Sequence, residues 1–216
     1  MSPDSLWTLV VPVKPAHIGK SRLGAEVEVV RAIALDTIAA AARAPRVRRL
    51  IVVTGDTELV AALADAGVTV EVVDDDPPRG LAGAIRAGLE RADASQPRAV
   101  LLGDLPALAP QELDEALAAA RSVPRAFVPD AEGAGSSLVT ALGGVALLEA
   151  FGADSAQRHR DLGLAELPVV VTSGLRRDVD TPDQLRDVAA GAIGRFTRAA
   201  LAAVAAVGSA AYVGGE

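Results

Sequence analysis

Short segments rich in valine, isoleucine and leucine alternate along this chain with longer segments whose apolar residues recur at helical spacing. This order favours a mainly parallel sheet covered by helices, because each helix returns the chain to the start of the next strand. The predicted strands are Leu6–Val13, Arg49–Thr54, Val68–Val73, Arg98–Leu102, Arg125–Val128, Ser137–Leu142 and Leu167–Thr172. The predicted helices of the first half are Glu26–Arg43, Asp56–Ala66, Gly80–Ala92 and Pro110–Arg121. The chain is therefore predicted to have an α/β fold.

The second half of the chain has a different pattern. After Arg121 the strands follow one another with less helix between them, which predicts an antiparallel excursion or hairpin before a final helix. A length of 216 residues suits one α/β domain with a single core. We therefore expect a single domain over residues 1–216.

The composition narrows both the core and the chemistry. Half of the residues are hydrophobic but only 2% are aromatic, so aliphatic side chains must fill the core. The absence of cysteine excludes disulfides, thiolate zinc sites and cysteine nucleophiles, which leaves oxygen ligands as the easier metal hypothesis. A net charge of −7 argues against a nucleic-acid partner. An anionic substrate would then need a local basic cluster.

Two features of the sequence bear on where in the cell the protein is expected to be. The N-terminus does not combine a positively charged leader with an apolar stretch, so we expect no signal peptide and a cytoplasmic protein. The apolar segment Ala199–Val207 is too short to span a bilayer, and we expect it to be a helix packed on the domain, with no membrane partner.

A basic cluster follows the first predicted strand. Lys14, Lys20 and Arg22 fall within nine positions of an otherwise acidic chain. In open parallel sheets, ligands bind beyond the carboxyl ends of the strands, and a triphosphate needs cationic side chains and backbone N–H donors. The segment is neither a Walker loop nor a GxGxxG turn, and a solvated basic loop is the alternative. His17 is expected to be a surface residue.

An aspartate follows the fourth strand at the same edge of the predicted sheet. Asp104 comes directly after Gly103, and its carboxylate could hold Mg²⁺. The alternative is a turn residue that caps the next helix. Pro110 is better placed to begin that helix, so Asp104 has no obvious capping role.

A second acidic group precedes the last part of the chain. Thr181 and Pro182 read as the N-cap and first residue of a helix, with Gln184 completing a capping box. Asp178 and Asp180 are not explained by capping, and in an extended segment they share one side. Either could therefore meet Asp104 across a metal ion.

Four motifs together resemble a known family. They are Val11-Pro-Val-Lys14, Lys20-Ser-Arg-Leu23, Gly103-Asp-Leu-Pro106 and Asp178-Val-Asp-Thr-Pro182. In this order and spacing they resemble the 2-phospho-L-lactate/phosphoenolpyruvate guanylyltransferases of coenzyme F-420 biosynthesis. The resemblance implies a Rossmann-like, GT-A-like nucleotidyltransferase fold, a three-layer α/β/α sandwich. It also implies GTP as donor, Mg²⁺ as cofactor, and phosphoenolpyruvate or 2-phospho-L-lactate as acceptor.

The resemblance also divides the chain. It implies a GTP-binding half over about 1–122, an acceptor-binding and metal-completing half over about 123–190, and a C-terminal helix within about 181–207. The triphosphate contacts and metal ligands carried over are Lys14, Lys20, Arg22 and Asp104, with Asp178 or Asp180. The nucleotide site it implies comprises Pro12, Val13, Lys14, Lys20, Ser21, Arg22, Gly80, Leu81 and Gly83. Many members have asparagine where this chain has Ala82 or Gly83, so only backbone contacts to the base are expected there.

The acceptor pocket implied by the resemblance lies in two glycine- and serine-containing segments. Its expected residues are Ser136, Ser137, Gly152, Ser155 and Arg158, with Arg160 as the alternative to Arg158. Residues two apart on a helix do not share a face, so only one of the two arginines is expected to point inward. Without the resemblance, a turn followed by a solvated basic helix explains the same residues.

Several alternatives stay open at this point. A sugar-1-phosphate or molybdopterin nucleotidyltransferase would share the fold and the acidic pair, and a nucleotide-binding module without catalysis would share the fold. The high content of alanine, arginine and valine is typical of GC-rich actinobacterial chains and favours phosphoenolpyruvate as acceptor by association. Homodimer formation is left open.

Overall fold

A computed structural model describes residues 6–16 and 26–213, with side chains described as far as residue 206. The strands are β1 (Trp7–Pro12), β2 (Val47–Thr54), β3 (Glu71–Asp74), β4 (Arg98–Leu101), β5 (Arg125–Pro129), β6 (Ser136–Ala141) and β7 (Ala165–Glu166). The helices are α1 (Val27–Ala42), α2 (Thr57–Asp65), α3 (Gly80–Glu90), α4 (Pro110–Ala119), α5 (Ser155–Asp161), α6 (Pro182–Ala189) and α7 (Arg195–Val213). Short 3₁₀ turns cover Ala120–Ser122 and Gly174–Arg176.

The strands form one sheet in the order β3-β2-β1-β4-β6-β5-β7. The first four strands are mutually parallel, β6 is antiparallel to both of its neighbours, and β7 pairs in parallel with β5. This arrangement confirms the predicted α/β fold and its antiparallel excursion. Among the strands of residues 6–16 and 26–213, only β6 runs against the others, so the carboxyl ends of β1, β4 and β5 meet at one edge.

Helices cover both faces of the sheet. On one face, α1, α2 and α4 pack on alternate strand residues such as Leu9, Val52 and Leu101. On the other face, α3 packs on Val10 and its neighbours, and α5 packs on β5 and β6. The result is the predicted three-layer sandwich, with a core made almost entirely of aliphatic side chains.

One predicted strand is wrong. Leu167–Thr172 is not a strand, and β7 is instead the two-residue segment Ala165–Glu166. Leu167 still donates to the Phe127 carbonyl oxygen at 2.9 Å. Pro168 follows and has no N–H to continue the ladder, and Val170 and Val171 are 68% and 52% exposed. The predicted third strand also begins later than expected, at Glu71 rather than Val68.

The segment predicted as one C-terminal helix contains two. α6 ends at Ala189 and α7 begins at Arg195. The Asp36 carboxylate accepts hydrogen bonds from the N–H groups of Phe196 and Thr197, at 3.1 and 2.7 Å, and so caps α7. Within the described part of the chain, no helix is both long and apolar enough to cross a membrane.

Candidate active site

A cleft of about 1110 Å³ opens at the edge where β1, β4 and β5 end. Its lining comes from the residues after β1 and β4, the start of α3, the β5–β6 turn, the loop before α5 and the segment before α6. Ligands of open α/β sheets bind at this edge, so the position of the cleft agrees with the sequence prediction. The predicted residues that line it are Pro12, Val13, Lys14, Gly80, Leu81, Asp104, Ser136, Gly152, Ser155, Asp178 and Asp180.

The ends of β1 and β4 approach each other closely beside the cleft. A Cβ atom on Gly103 would lie 2.9 Å from Val13 Cγ2 and 3.3 Å from the Pro12 carbonyl oxygen. Glycine is therefore needed for this approach. The approach brings Asp104 within the electrostatic reach of Lys14, whose ammonium group lowers the pKa of that carboxyl and partly offsets the effects of burial.

Asp104 and Asp178 face the same part of the cleft. The Oδ1 atom of each carboxylate is buried and has no hydrogen-bond partner among the described residues. Burial raises the pKa of Asp104 to about 8, with further increases from the charges of Asp178 and Asp180. The pKa of Asp178 is also raised, to about 7. Burial is the main cause, and the charge of Asp130 is the second. Two partly buried carboxylates, each with a buried Oδ1 atom that accepts no hydrogen bond from the described residues, form a site that a cation would stabilise.

Asp130 and Glu132 extend this acidic group. A carboxylate oxygen of Asp130, Glu132 and Asp178 lies within 4.8 Å of the other two. Asp130 also holds the β5–β6 turn, because its carboxylate accepts hydrogen bonds from the N–H groups of Ala134 and Gly135. Asp130 is not among the residues predicted from the sequence, although it directly follows a strand that ends at this edge.

The acidic group has the composition of a site for a hard divalent cation. Every candidate donor is a carboxylate oxygen, and Mg²⁺ prefers such ligands. The unpaired Oδ1 atoms of Asp104 and Asp178 fit a metal ligand better than a hydrogen-bonding role. Two pairs of carboxylates could hold the cation, Asp178 with Asp104 and Asp178 with Asp130, and Asp178 is common to both. It is also partly buried, whereas Asp180 is exposed.

Of the α3 residues predicted to bind the nucleotide, only some line the cleft. Gly80 begins α3 with a φ of +72°, a conformation that favours glycine, and it lines the cleft together with Leu81. Gly83 does not line it and instead packs on Arg79, whose Cβ would lie 2.5 Å from a Cβ at this position. Asp75 was missed by the sequence analysis. It is a buried, cleft-lining carboxylate that accepts a hydrogen bond from the Arg79 N–H at 3.2 Å.

The two adjacent serines of the predicted acceptor pocket have different surroundings. Val128 pairs with Leu138 but Pro129 pairs with Ser136, so Ser137 is the extra residue of a β-bulge. The bulge turns Ser136 towards α5 and the cleft. Ser137 is completely buried, does not line the cleft, and its Oγ has no partner among the described residues.

Neither arginine of α5 lines the cleft, against the expectation that one would point inward. The Arg158 guanidinium donates to the carbonyl oxygens of Phe151 and Ala153, at 3.2 and 2.6 Å. Arg160 pairs with Glu166 at 2.7 Å. Arg158 therefore holds the loop that presents Gly152, because its Nη2 group donates to the carbonyl oxygens on either side of that glycine.

Part of the predicted phosphate-binding segment lies outside the described residues. This part includes Lys20, Ser21 and Arg22, and also His17. Their roles stay predictions from the sequence. Lys14 is exposed at the end of β1 and lines the cleft.

Comparison with known proteins agrees with this geometry. The family model of the MobA-like NTP transferase domain matches residues 25–169. The phosphoenolpyruvate guanylyltransferase of Streptomyces coelicolor is 44% identical, over 91% of this chain and 96% of the relative. That of Thermomonospora curvata is also 44% identical, over 91% and 89%. A solved nucleotidyl transferase from Methanothermobacter thermautotroptrophicus superimposes with a TM-score of 0.61 at 19% identity, over 90% and 99% of the two chains.

The fold and the family match define an enzyme of the nucleotidyltransferase class. The matched relatives are aligned over nearly their whole length. Within this class, the chain belongs to the family of the phosphoenolpyruvate guanylyltransferases, which confirms the resemblance and the guanylyltransferase role predicted from the sequence motifs.

Proposed function

We propose that this enzyme transfers GMP from GTP to phosphoenolpyruvate and releases pyrophosphate, as a step of coenzyme F-420 biosynthesis in the cytoplasm. The names of the relatives support phosphoenolpyruvate as acceptor, and 2-phospho-L-lactate is the acceptor to test against it. The observation that carries the proposal is the pair of buried Oδ1 atoms on Asp104 and Asp178 that have no hydrogen-bond partner in the part of the chain that the structure describes, in a cleft that also contains Lys14.

The proposed reaction is an in-line displacement at the α-phosphorus of GTP. An oxygen of the acceptor phosphate forms the new P–O bond while the bond to the bridging oxygen of the β-phosphate breaks, and pyrophosphate leaves with that electron pair. A phosphomonoester has a second pKa of about 6, so the acceptor is largely dianionic near neutral pH and needs no general base. This agrees with the site, where the acidic residues are suited to holding a cation.

The enzyme's contribution is then positioning and charge neutralisation. Asp104 and Asp178 would hold Mg²⁺, with Asp180 beside them, and the bound ion would neutralise phosphate charge. Lys14, which lines the cleft, is proposed to contact the triphosphate and to stabilise charge on the leaving pyrophosphate. Lys20 and Arg22 are proposed to complete that contact from the segment that follows.

The two substrates are assigned to opposite ends of the cleft. Gly80 and Leu81 line the end formed by α3, and their backbone is proposed to face the nucleoside. Ser136, Gly152 and Ser155 line the other end, and they are proposed to bind the acceptor. In this proposal the acidic group lies between the two substrates, where their phosphates would meet.

The test is a transfer assay with the purified full-length chain. The enzyme is incubated with GTP, MgCl₂ and either phosphoenolpyruvate or 2-phospho-L-lactate, and pyrophosphate and the guanylylated product are quantified by a coupled assay and mass spectrometry. ATP in place of GTP and excess EDTA are the controls. We expect acceptor-dependent pyrophosphate release with phosphoenolpyruvate and GTP. Absence of product with both acceptors, from a folded protein that binds Mg²⁺ and GTP, would reject the proposed activity.

A further inference from the structure

His159 lies completely buried beneath the acceptor end of the cleft. Its imidazole packs against the rings of Phe127 and Phe151, with centroid distances of 5.5 and 5.4 Å. Nε2 lies 2.9 Å from the backbone nitrogen of Ala150, and Nδ1 lies 2.9 Å from Ser136 Oγ. Both ring nitrogens are therefore engaged in hydrogen bonds, and two aromatic rings pack on the imidazole.

The partner of Nε2 determines which nitrogen carries the proton. The Ala150 N–H can only donate, so Nε2 must accept and be unprotonated. Burial lowers the pKa of His159 to about 4, with the charge of Arg158 as the second cause, so the ring is neutral near pH 7. A neutral imidazole has one N–H, which must then be on Nδ1. The hydrogen bond to Ser136 consequently runs from Nδ1–H to the serine oxygen.

This direction fixes what Ser136 can do. Its Oγ accepts from His159, so its own O–H remains available as a donor. Ser136 lines the cleft, and no other hydrogen bond of its Oγ occurs within the described part of the chain. The Ser137 bulge keeps the Ser136 side chain on this face of the sheet. The hydroxyl is thus a hydrogen-bond donor at the acceptor end of the cleft.

We propose that His159 is a positioning residue that holds the Ser136 hydroxyl as a hydrogen-bond donor to an anionic oxygen of the acceptor substrate. The inference rests on the proposed function for the identity of that substrate. It goes beyond the proposed function because it assigns specificity for an anionic group to a buried residue that does not line the cleft. Carboxylate and phosphate oxygens both satisfy the chemistry, and the choice of acceptor in the assay separates them.

The first test compares acceptor kinetics of the variants Ser136→Ala and His159→Leu. A hydrogen bond to a charged group contributes about 1.5–3 kcal/mol, so each variant should raise the KM for phosphoenolpyruvate by roughly ten- to a hundredfold. The KM for GTP should change by less than about threefold, because the nucleotide end of the cleft is untouched. The double variant should be no worse than the poorer single variant, since both remove the same donor.

Two further arms separate a positioning role from a structural one. In His159→Asn the side-chain amide can replace Nδ1–H as donor to Ser136, so this variant should regain much of the acceptor affinity that His159→Leu loses. Vinyl phosphate lacks the carboxylate of phosphoenolpyruvate. If Ser136 contacts the carboxylate, Ser136→Ala should not affect transfer to vinyl phosphate, whereas a phosphate contact would impair both acceptors.

A measurement on the wild-type protein protects the test against misfolded variants. The ¹⁵N chemical shifts of His159 report which ring nitrogen carries the proton, with or without enzymatic activity. We expect protonated Nδ1 and unprotonated Nε2. The proposal is overturned if Nε2 carries the proton, if the effects of the two single variants multiply, or if both leave the acceptor KM unchanged. If the wild type transfers GMP to neither acceptor, the proposed function fails, while the tautomer result still decides the geometry.

Discussion

The N–H of Val179 donates a hydrogen bond of 3.0 Å to the carbonyl oxygen of Asp104. This bond joins the segment after β4 to the segment before α6, although the two are far apart in the chain. Because Asp178 precedes Val179, the same bond holds the Asp178 carboxyl near Asp104. Burial is the main reason why the pKa values of both carboxyl groups are raised, and at Asp104 the charge of the neighbouring Asp178, which the backbone keeps close, raises the pKa further.

The stability of the metal-free enzyme should decrease as the pH rises from about 4 to about 8. The folded-state pKa of Asp104 is raised to about 8 and that of Asp178 to about 7, from an ordinary value of 3.8. In this window the folded state binds more protons than the unfolded state, so a rise in pH favours unfolding. We expect Mg²⁺ to raise the Tm more at pH 8 than at pH 5, because the carboxyl groups must ionise to bind it.

Thermal unfolding in EDTA and in MgCl₂ over this pH range measures the effect. CaCl₂ tests whether the effect depends on the size of the divalent cation. A monovalent salt at equal ionic strength tests for general screening of charge. An equal Tm increase from the monovalent salt would show that general screening, and not a cation site, accounts for the stabilisation.

Asp104→Asn should abolish catalysis and stabilise the metal-free protein at high pH. Asparagine removes the negative charge at a nearly isosteric position, so the repulsion from Asp178 and Asp180 is lost. We expect turnover to fall by at least about a hundredfold, while the Tm in EDTA at pH 8.5 rises above that of the wild type and the Mg²⁺-dependent Tm increase shrinks. Asp183→Asn is a matched control, because this exposed residue of α6 is paired with Arg186 away from the acidic group.

Steady-state assays and melting curves of the two variants separate these effects. Retention of wild-type turnover by Asp104→Asn would remove Asp104 from the proposed metal site. A lower Tm in EDTA at pH 8.5 would contradict the repulsion between the acidic side chains.

Local patterns in the sequence were sufficient to predict the elements that are buried along their whole length or that begin at a clear capping box. β1 is buried along its whole length and its aliphatic run identified it, and the capping box of Thr181 and Gln184 fixed the start of α6. The Leu167–Thr172 strand failed because its apolar residues suggested burial, whereas Pro168 and the exposed valines end the pairing. Periodicity reports that a residue is apolar but not whether a neighbouring strand is present.

The residues of the candidate site also divide into those that local patterns predict and those that depend on distant parts of the chain. Asp104 and Asp178 could be found because they follow strands or lack a capping role, which are local properties. Asp130 reads locally as a turn residue, and it does hold the turn, so its contribution to the acidic group depends on the distant Asp178. His159 was missed because its two hydrogen bonds come from Ser136 and Ala150, which only the folded sheet and loop bring to opposite sides of its ring.

Lys14→Ala should reduce turnover with little effect on folding. Lys14 is exposed and lines the cleft, so its removal creates no core cavity. Loss of one charge contact to the triphosphate should lower kcat/KM for GTP by roughly ten- to a thousandfold, with the Tm within about 2 °C of the wild type. Arg48→Ala removes an exposed charge on β2 and serves as the control for net charge. A kcat/KM for GTP equal to that of the wild type in Lys14→Ala would exclude Lys14 from the triphosphate contact.

Gly103→Ala and Gly88→Ala should separate damage to the site from damage to the core. At Gly88 an added methyl would lie 2.4 Å from Val10 Cγ1 and 2.9 Å from Val53 Cγ2, between α3 and the sheet. Overpacking of this kind should cost about 1–3 kcal/mol of the free energy of unfolding. At Gly103 the methyl would press on Val13 and the Pro12 carbonyl oxygen, which lie where β1 enters the cleft.

The two variants are compared by denaturant unfolding and by kinetics at a temperature where both are folded. We expect Gly88→Ala to lose stability while keeping kcat within about threefold of the wild type, because Gly88 does not line the cleft and lies about two helical turns from Gly80 and Leu81, which do. Gly103→Ala should lower kcat by more than about tenfold, because a shift of the β1 end moves Lys14 relative to Asp104 and catalysis depends on that placement. Equal losses of kcat in both variants would mean that the activity follows overall stability and not the approach of β1 to β4.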